Sequence, residues 1–582
     1  MDDLIKTFLT SSVPLLSLGN PHFMGLMNLI EGFTPPTITQ FTGILKSHVQ
    51  MAINLAVTEI ILSDLHYSIS VDVSNESYST KKFMGIALHY YSEVSNEVKT
   101  IAIDLKKCHL TGSLQVCDVV KHLLADLKLP PNRLVRIVAG SGRMKKAVFR
   151  HVDPEDDEND VESSDDEDEE MDGSNTDQVM ESINNVLGNS RNSAQMEPVE
   201  DGCVNVALLG DLDLDRYIQL LEKSEGAGNK DPGFIGDHFT CAVYRLQQVC
   251  EAVFDRCEAM VVMRDNVQKL LTAFARSPEA MSRLRSENGA SLNFPANNQW
   301  ATMEKVFSRI IDIREALHTV CTEQFRVSYI NSDDVRLMEI AVAFLRPFNQ
   351  YMTVLQRSSV PTLPLLFTGL SHLIVTLEGT PSKLDLPPRG IAFDVNSLMT
   401  ALCTEIKTQF ADVLSPGPDS DPIFIAASAL DATVASFLLA HVNLTAVREA
   451  VIKCIKIFQL GSPESTPEVE VKPAVVNPFG FGPSIQVNKP PAMENTAEKE
   501  VEYLIYLIQN KQWNCANPFD LFDTYNLTTL KQLAFVLASV PATSAAVDRL
   551  FTKMSDIDID LSNKTEASIF KIRCIGGFNM QV

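Results

Sequence analysis

The 582-residue chain lacks most of the signatures by which a sequence announces its chemistry. Its 11 cysteines contain no Cys-x-x-Cys pair, so zinc-finger and zinc-ribbon spacings are excluded. They are also too sparse for a disulfide scaffold. No His-Glu-x-x-His, no Gly-x-Ser-x-Gly and no Walker-type glycine loop occurs, which removes the familiar metalloprotease, hydrolase-elbow and phosphate-loop readings. Gly140-Ser141-Gly142 is followed by base but lacks the loop's spacing. No stretch approaches 18 uncharged apolar residues, so no membrane span is expected. Met1-Asp2-Asp3 carries acid where a secretory leader carries base. No run of five basic residues is present, so no nuclear localisation signal is visible. These absences predict a cytosolic or nuclear chain with reduced thiols.

Positive charge is also scarce. Lys plus Arg number 49 against 74 Asp plus Glu, a formal charge of −25. The excess is local: 14 of the 20 residues 153–172 are Asp or Glu, and without them the remainder carries −11. Nothing in this balance is an electrostatic footprint for nucleic acid. Self-repulsion and low hydrophobicity predict a disordered acidic insert over 151–232. Ser163 and Ser164 each have an acid three residues on, as an acidophilic kinase requires, although any acid run offers such sites. The insert can contact basic partners or simply keep the chain soluble.

The hydrophobic pattern divides the rest. Residues 1–62 read as an N-terminal helical segment that ends in one amphipathic helix over 37–62. From Tyr67 the period changes to two, predicting strands over 67–72, 83–91 and 98–105 with short turns between them. A helix over 113–127, a strand over 134–139 and a helix beginning near Met144 follow. Residues 233–459 read as mostly helical, with helices expected over 239–254, 265–276, 301–325, 333–355, 364–378, 395–414 and 423–458. Seven prolines mark 460–498 as a linker. Residues 499–582 return to helical order.

Asp72 invites a functional reading. An acid closing the first strand of a strand–strand–strand–helix–strand series stands where ribonuclease-H-like nucleases place their first metal ligand. Such enzymes use carboxylates to hold two divalent ions at a phosphodiester. A turn aspartate is the plainer alternative.

The segment Val540-Pro541-Ala542-Thr543-Ser544, followed by Ala545, Asp548, Arg549 and Phe551, resembles the dimerisation signature of hAT-family transposases. Met144-Lys145-Lys146-Ala147, Cys241 through Leu246 and Trp300 with Thr302 resemble further elements of that family in its own order. The resemblance covers almost everything except 151–232 and 460–498. It begins in the segment that follows the family's zinc-finger module. It implies an α/β ribonuclease-H-like domain, its parts at 63–150 and 499–582, interrupted by a large all-α insertion over 233–459 and by the acidic insert. It also implies a homodimer, built through Leu533, Leu537, Val540, Pro541, Arg549 and Phe551, although the same apolar residues can equally be intramolecular core.

Departures from the family are specific. Ala139 stands where the second acid is expected, Asp548 replaces a glutamate as the third, and Tyr244 replaces a histidine. Asp72 and Asp548 are then remnant acids, no cofactor or metal is expected, and the chain reads as a catalytically inactive, transposase-derived nuclear protein. It would act as a dimeric scaffold for protein partners or as a chromatin or transcription regulator. The alternative is a metal-dependent strand-transfer enzyme or nuclease in which another acid, such as Asp104, replaces Ala139. Lys81, Lys82, Lys106, Lys107, Arg143, Lys145 and Lys146 lie near the strand ends around Asp72. They can form a local basic rim for DNA, or be scattered solvated lysines. Nuclear location rests on the resemblance, and the cytoplasm is the expectation without it.

Overall fold

The computed structural model describes the chain except residues 12, 14, 31–32, 75–81, 109–113, 141–237, 289–290, 293, 295–298, 385–393, 416–420, 461–496, 559–566 and 581–582. The acidic insert, Ser163, Ser164 and the Pro-rich linker therefore lie outside the described residues.

A mixed five-stranded sheet organises the α/β part. Its strands are β1 (Tyr67–Val73), β2 (Lys82–Ser92), β3 (Glu97–Cys108), β4 (Leu134–Ala139) and β5 (His238–Thr240). Their order is β3-β2-β1-β4-β5. The first three form the antiparallel meander that the alternating sequence predicts, while β4 and β5 add parallel to β1. β1 to β3 match the period-two segments, and β4 matches the strand expected over 134–139. β5 does not: its residues were expected inside the first insertion helix, which instead begins at Ala242. Three residues are too few to show a period. They become a strand because β4 presents an open edge, and the Cys241 N–H continues the ladder to the Ala139 carbonyl at 2.7 Å.

The N-terminal helices are α1 (Asp2–Thr10), α2 (Pro21–Met27) and α3 (Ile38–Leu62). Thr37 and Gln40 close a reciprocal capping box that starts α3 where the sequence predicts it. Phe41, Leu45, Val49, Ile53, Val57 and Ile60 of α3 are buried. α3 packs against β3 and against the helix Ala567–Asn579, which also crosses α1. The last crossing is close because of glycine: a Cβ on Gly577 would lie 2.3 Å from the Leu9 carbonyl oxygen. Arg573 of the same helix is buried and donates to the carbonyls of Phe8, Ser11 and Val13. These are acceptors left open where α1 ends. Asn579 bonds both backbone groups of Ala102, so the open side of β3 is partly closed.

The helical part follows the sequence reading with four corrections. The expected helix 395–414 breaks at Phe410 into Val395–Gln409 and Ala411–Leu414. The expected helix 301–325 divides into Trp300–Asp312, Arg314–Val320 and a short π-turn at Cys321–Phe325. The expected helix 423–458 divides into Ile423–Leu430, Ala435–Leu438 and Leu444–Ile457. Asp431 turns the chain by accepting from Thr433, and Asn443 caps the next helix. Short polar side chains compete for local backbone in this way, and an unbroken apolar count overlooks it. Pro278–Asn288 is a further helix that its low apolar content concealed.

Candidate functional site

In β1, Tyr67, Ile69 and Val71 alternate with Ser68, Ser70 and Asp72, so the two sets stand on opposite faces. The polar set meets a polar patch. His89 of β2 is fully enclosed, its Nε2 at 2.8 Å from Ser70 Oγ and its Nδ1 at 3.0 Å from Thr100 Oγ1. Burial, assisted by the Arg549 charge, pushes its pKa down to about 3, so the ring is neutral at physiological pH. Ser68 Oγ lies 3.4 Å from Ser539 Oγ.

The segment Val540–Ser544 is laid over this patch. The Ala542 N–H donates to Thr362 Oγ1 at 2.9 Å, and the Ala542 carbonyl accepts from the Ala242 N–H at 3.0 Å. The Ser544 N–H donates to the Cys241 sulfur at 3.3 Å, and Ser544 Oγ donates to Asp72 Oδ2 at 3.2 Å. Five residues thus join the end of β1, the start of the insertion helices and the turn after Ser332–Leu355. Helix Ala545–Asp558 then leaves over β2. It crosses at Gly85, where a Cβ would lie 2.6 Å from Val547 Cγ1 and 3.1 Å from Phe551 Cε1.

Asp548 lies one helical turn after Ser544, which brings its charge to Asp72. Burial first and Asp548 second push the Asp72 carboxyl up to about 7, against the Val73 N–H and Ser544 hydroxyl that stabilise its ionised form. Asp548 keeps an exposed edge. Protein crowding on its inner side raises it to about 6, with Arg549 pulling the other way. Two neighbouring carboxylates, both raised by burial and only Asp548 with a nearby cation, favour one proton on the pair near neutrality.

Ala139 is in register with Val71. Its methyl therefore stands on the face opposite Asp72, within the core cluster that holds Val71 and Ile137. The residue beside Asp72 is Gly140, just after β4, whose N–H donates to the Val71 carbonyl at 2.9 Å. A Cβ there would lie 1.9 Å from Asp72 Cγ, so any side chain at this position would have to displace the Asp72 carboxyl. Asp104 is in register with Ile86, itself paired with Val71. It therefore also lies on the far face, bonded to Lys571, and does not stand in for an acid beside Asp72. Among the described residues no group of three or more His, Cys, Asp or Glu side chains is placed to hold a metal ion. Two ions about 3.5–4 Å apart need more donors than one carboxylate pair supplies, so the residues present do not fit that group.

The residues expected at a dimer interface are placed within one chain. Leu533, Leu537 and Val540 are buried at 0–1% exposure, in the cluster that also holds the insertion helices. Pro541 is half-buried. Arg549 donates to the Gln356 carbonyl at 3.0 Å, and Phe551 packs by Gly85. Of the basic positions, Lys82, Lys106 and Lys107 fall on the paired ends of β2 and β3, and Lys106 is exposed. Lys81, Arg143, Lys145 and Lys146 lie outside the described residues. Trp300 is buried and donates to Asp255 Oδ1 at 2.8 Å while Arg264 covers its ring at 4.6 Å, a packing role.

Gly140 and the Asp72 contact of Ser544 are what the sequence reading missed. No local signal could have given the contact, because its partners are 472 residues apart. Comparison with protein-family models and with curated proteins finds no match to this chain.

Proposed function

We propose that the chain is a domesticated hAT-type transposase that retains a ribonuclease-H-like sheet and has lost strand transfer. It acts as a dimeric nuclear scaffold for protein partners, in chromatin or transcription. Support comes from the sheet order, a three-stranded antiparallel meander followed by parallel strands. It comes also from the Val540–Ser544 segment, which seats Asp548 against Asp72. The observation that carries the loss of chemistry is Gly140. Among the described residues the position beside Asp72 at the end of β4 is a glycine, where a side chain would displace the Asp72 carboxyl, so the carboxylate pair has no third member there.

The second reading, a metal-dependent nuclease or strand-transfer enzyme, draws on the same pair. Two interacting carboxylates whose pKa values are both raised are candidates for a functional site. A nicking assay with Mg²⁺ or Mn²⁺, run beside Asp72→Asn, separates the two. No metal-dependent cleavage above the Asp72→Asn background is the expected result. Cleavage that Asp72→Asn abolishes would overturn it in favour of the enzyme. Binding to long duplex DNA over a salt series then tests the DNA-bound form of the scaffold, because phosphate contacts weaken steeply with salt.

A further inference from the structure

We propose that a second copy of this chain docks on the outer face of α3, so that α3 pairs antiparallel with its own equivalent. The inference rests on the dimer reading above and relocates its seam.

α3 runs for 25 residues and carries only Lys46 and Glu59 as charged side chains other than His48. Glu59 is already engaged, holding the hydroxyls of Tyr90 and Ser92. The buried face accounts for one apolar stripe. A second stripe on the solvent side consists of exposed Met51, Leu55 and Leu62 and half-buried Ile44, which also touches the core, with half-buried His48 and Thr58 between them and exposed Ser47, Gln50 and Asn54 alongside. Steps of four, three, four, three and four residues keep these six positions in line, which is the narrow 3.5-residue seam of paired helices rather than the broad face of a core helix. Met51, Leu55 and Leu62 are 50%, 49% and 77% exposed. A helix that is apolar on both faces is normally buried on both.

The occupant follows from the stripe's symmetry. Reversed on itself about its midpoint, it brings Ile44 to Leu62, His48 to Thr58 and Met51 to Leu55. Each large residue meets another, and no charge meets a like charge. That is the self-complementary patch a two-fold dimer needs. An acidic or basic partner would find nothing to pair with. At 1.5 Å per residue the seam is about 27 Å long, too little alone for the roughly 1,200 Å² of a stable interface. It continues into an open groove of about 850 Å³ lined by Ile5, Pro35, Pro36, Ile44 and Met51, which extends the contact on each copy. The segment expected to form the dimer offers no such surface, because Leu533, Leu537 and Val540 are enclosed within one chain.

The test is the mass of the full chain in solution at 1–100 µM, approximately the range for a seam of this size, for the wild type and the variant Met51→Glu/Leu55→Glu. Both positions are exposed in the single chain, and an unchanged thermal melt confirms the fold. The expected result is a wild-type dimer, with association weakened at least about 100-fold in the variant. A variant that dimerises as well as wild type overturns the α3 seam and leaves the dimer reading standing. A monomeric wild type overturns both. Met51→Cys/Leu55→Cys gives a second measurement, since opposed cysteines should yield a disulfide-linked dimer under mild oxidation, and its absence in a dimeric chain counts against this register.

Discussion

The two faces of the sheet are sealed by different physics. On one, Tyr67, Ile69 and Val71 pack against apolar side chains, and the closing helix Ala567–Asn579 adds only a few polar clasps. On the other, Ser68, Ser70, Asp72, His89 and Thr100 form a hydrogen-bonded patch that the covering segment joins through Ser539 and Ser544, set among apolar contacts of Leu537, Val540 and Val547. Apolar burial is non-directional and tolerates substitution, whereas an enclosed polar patch needs every partner in place. The Asp72 and Asp548 carboxylates meet on the second face, and burial raises the pKa of both.

The largest effect is expected where the covering segment meets the core. Leu537→Asp places a charge at a position with 1% exposure and should cost about 4 kcal/mol or more. Loss of the folded state by circular dichroism is expected, rather than a folded monomer. A folded, monomeric Leu537→Asp would return the dimer seam to this segment. Gly140→Asp forces a side chain onto the Asp72 carboxyl. A loss of about 3 kcal/mol in urea unfolding is expected, and Mn²⁺ should not protect the variant. On the apolar face, Arg573→Ala strips three carbonyls of their donor and should cost about 3 kcal/mol. A cost as small as that of an exposed arginine would show that the clasp adds nothing to packing.

Asp72→Asn sharpens the comparison through pH. Its folded pKa of about 7 lies above the ordinary aspartate value of 3.8, so the folded state binds the extra proton between those values. Ionisation therefore removes stability as pH rises through that window, and the full penalty is present above about 7. The asparagine variant should be more stable than wild type by about 2 kcal/mol at pH 8. The gain should vanish toward pH 4. A pH-independent difference in melting would show that the carboxyl is not strained. Smallest is Ser544→Ala, which removes one hydroxyl from Asp72 and should cost about 1 kcal/mol. It should also raise the pH at which the Asp72 effect appears, because the lost bond favoured the ionised form.

Legibility in the sequence followed the range of the interactions. β1 was visible because alternation is local, and so was Asp72 at its end. The start of α3 near Thr37 was read from its apolar spacing, and the capping box that fixes it emerges only in the structure. β5 was not visible, since His238–Thr240 is a strand only because of β4 beside it. The facing of Asp72 and Asp548 came from a resemblance and not from pattern. The side on which Ala139 stands depends on parallel register across a crossover, which no single strand contains. The apolar count at Leu533, Leu537 and Val540 was legible, but whether it served one chain or two was not. Periodicity reports that a face is covered, and not by what.

The Arg573 clasp sets a clock on the molecule. It joins side chain to carbonyl across 565 residues, so α1 cannot reach its seat until the helix Ala567–Asn579 has been made. At about 5–20 residues per second, the N-terminal helices wait roughly half a minute to two minutes on the ribosome. Throughout that time the part of α3 that meets Ala567–Asn579 stays uncovered, while β3 covers the rest of its inner face sooner. Helices made hundreds of residues before their partner are thus among the last to settle.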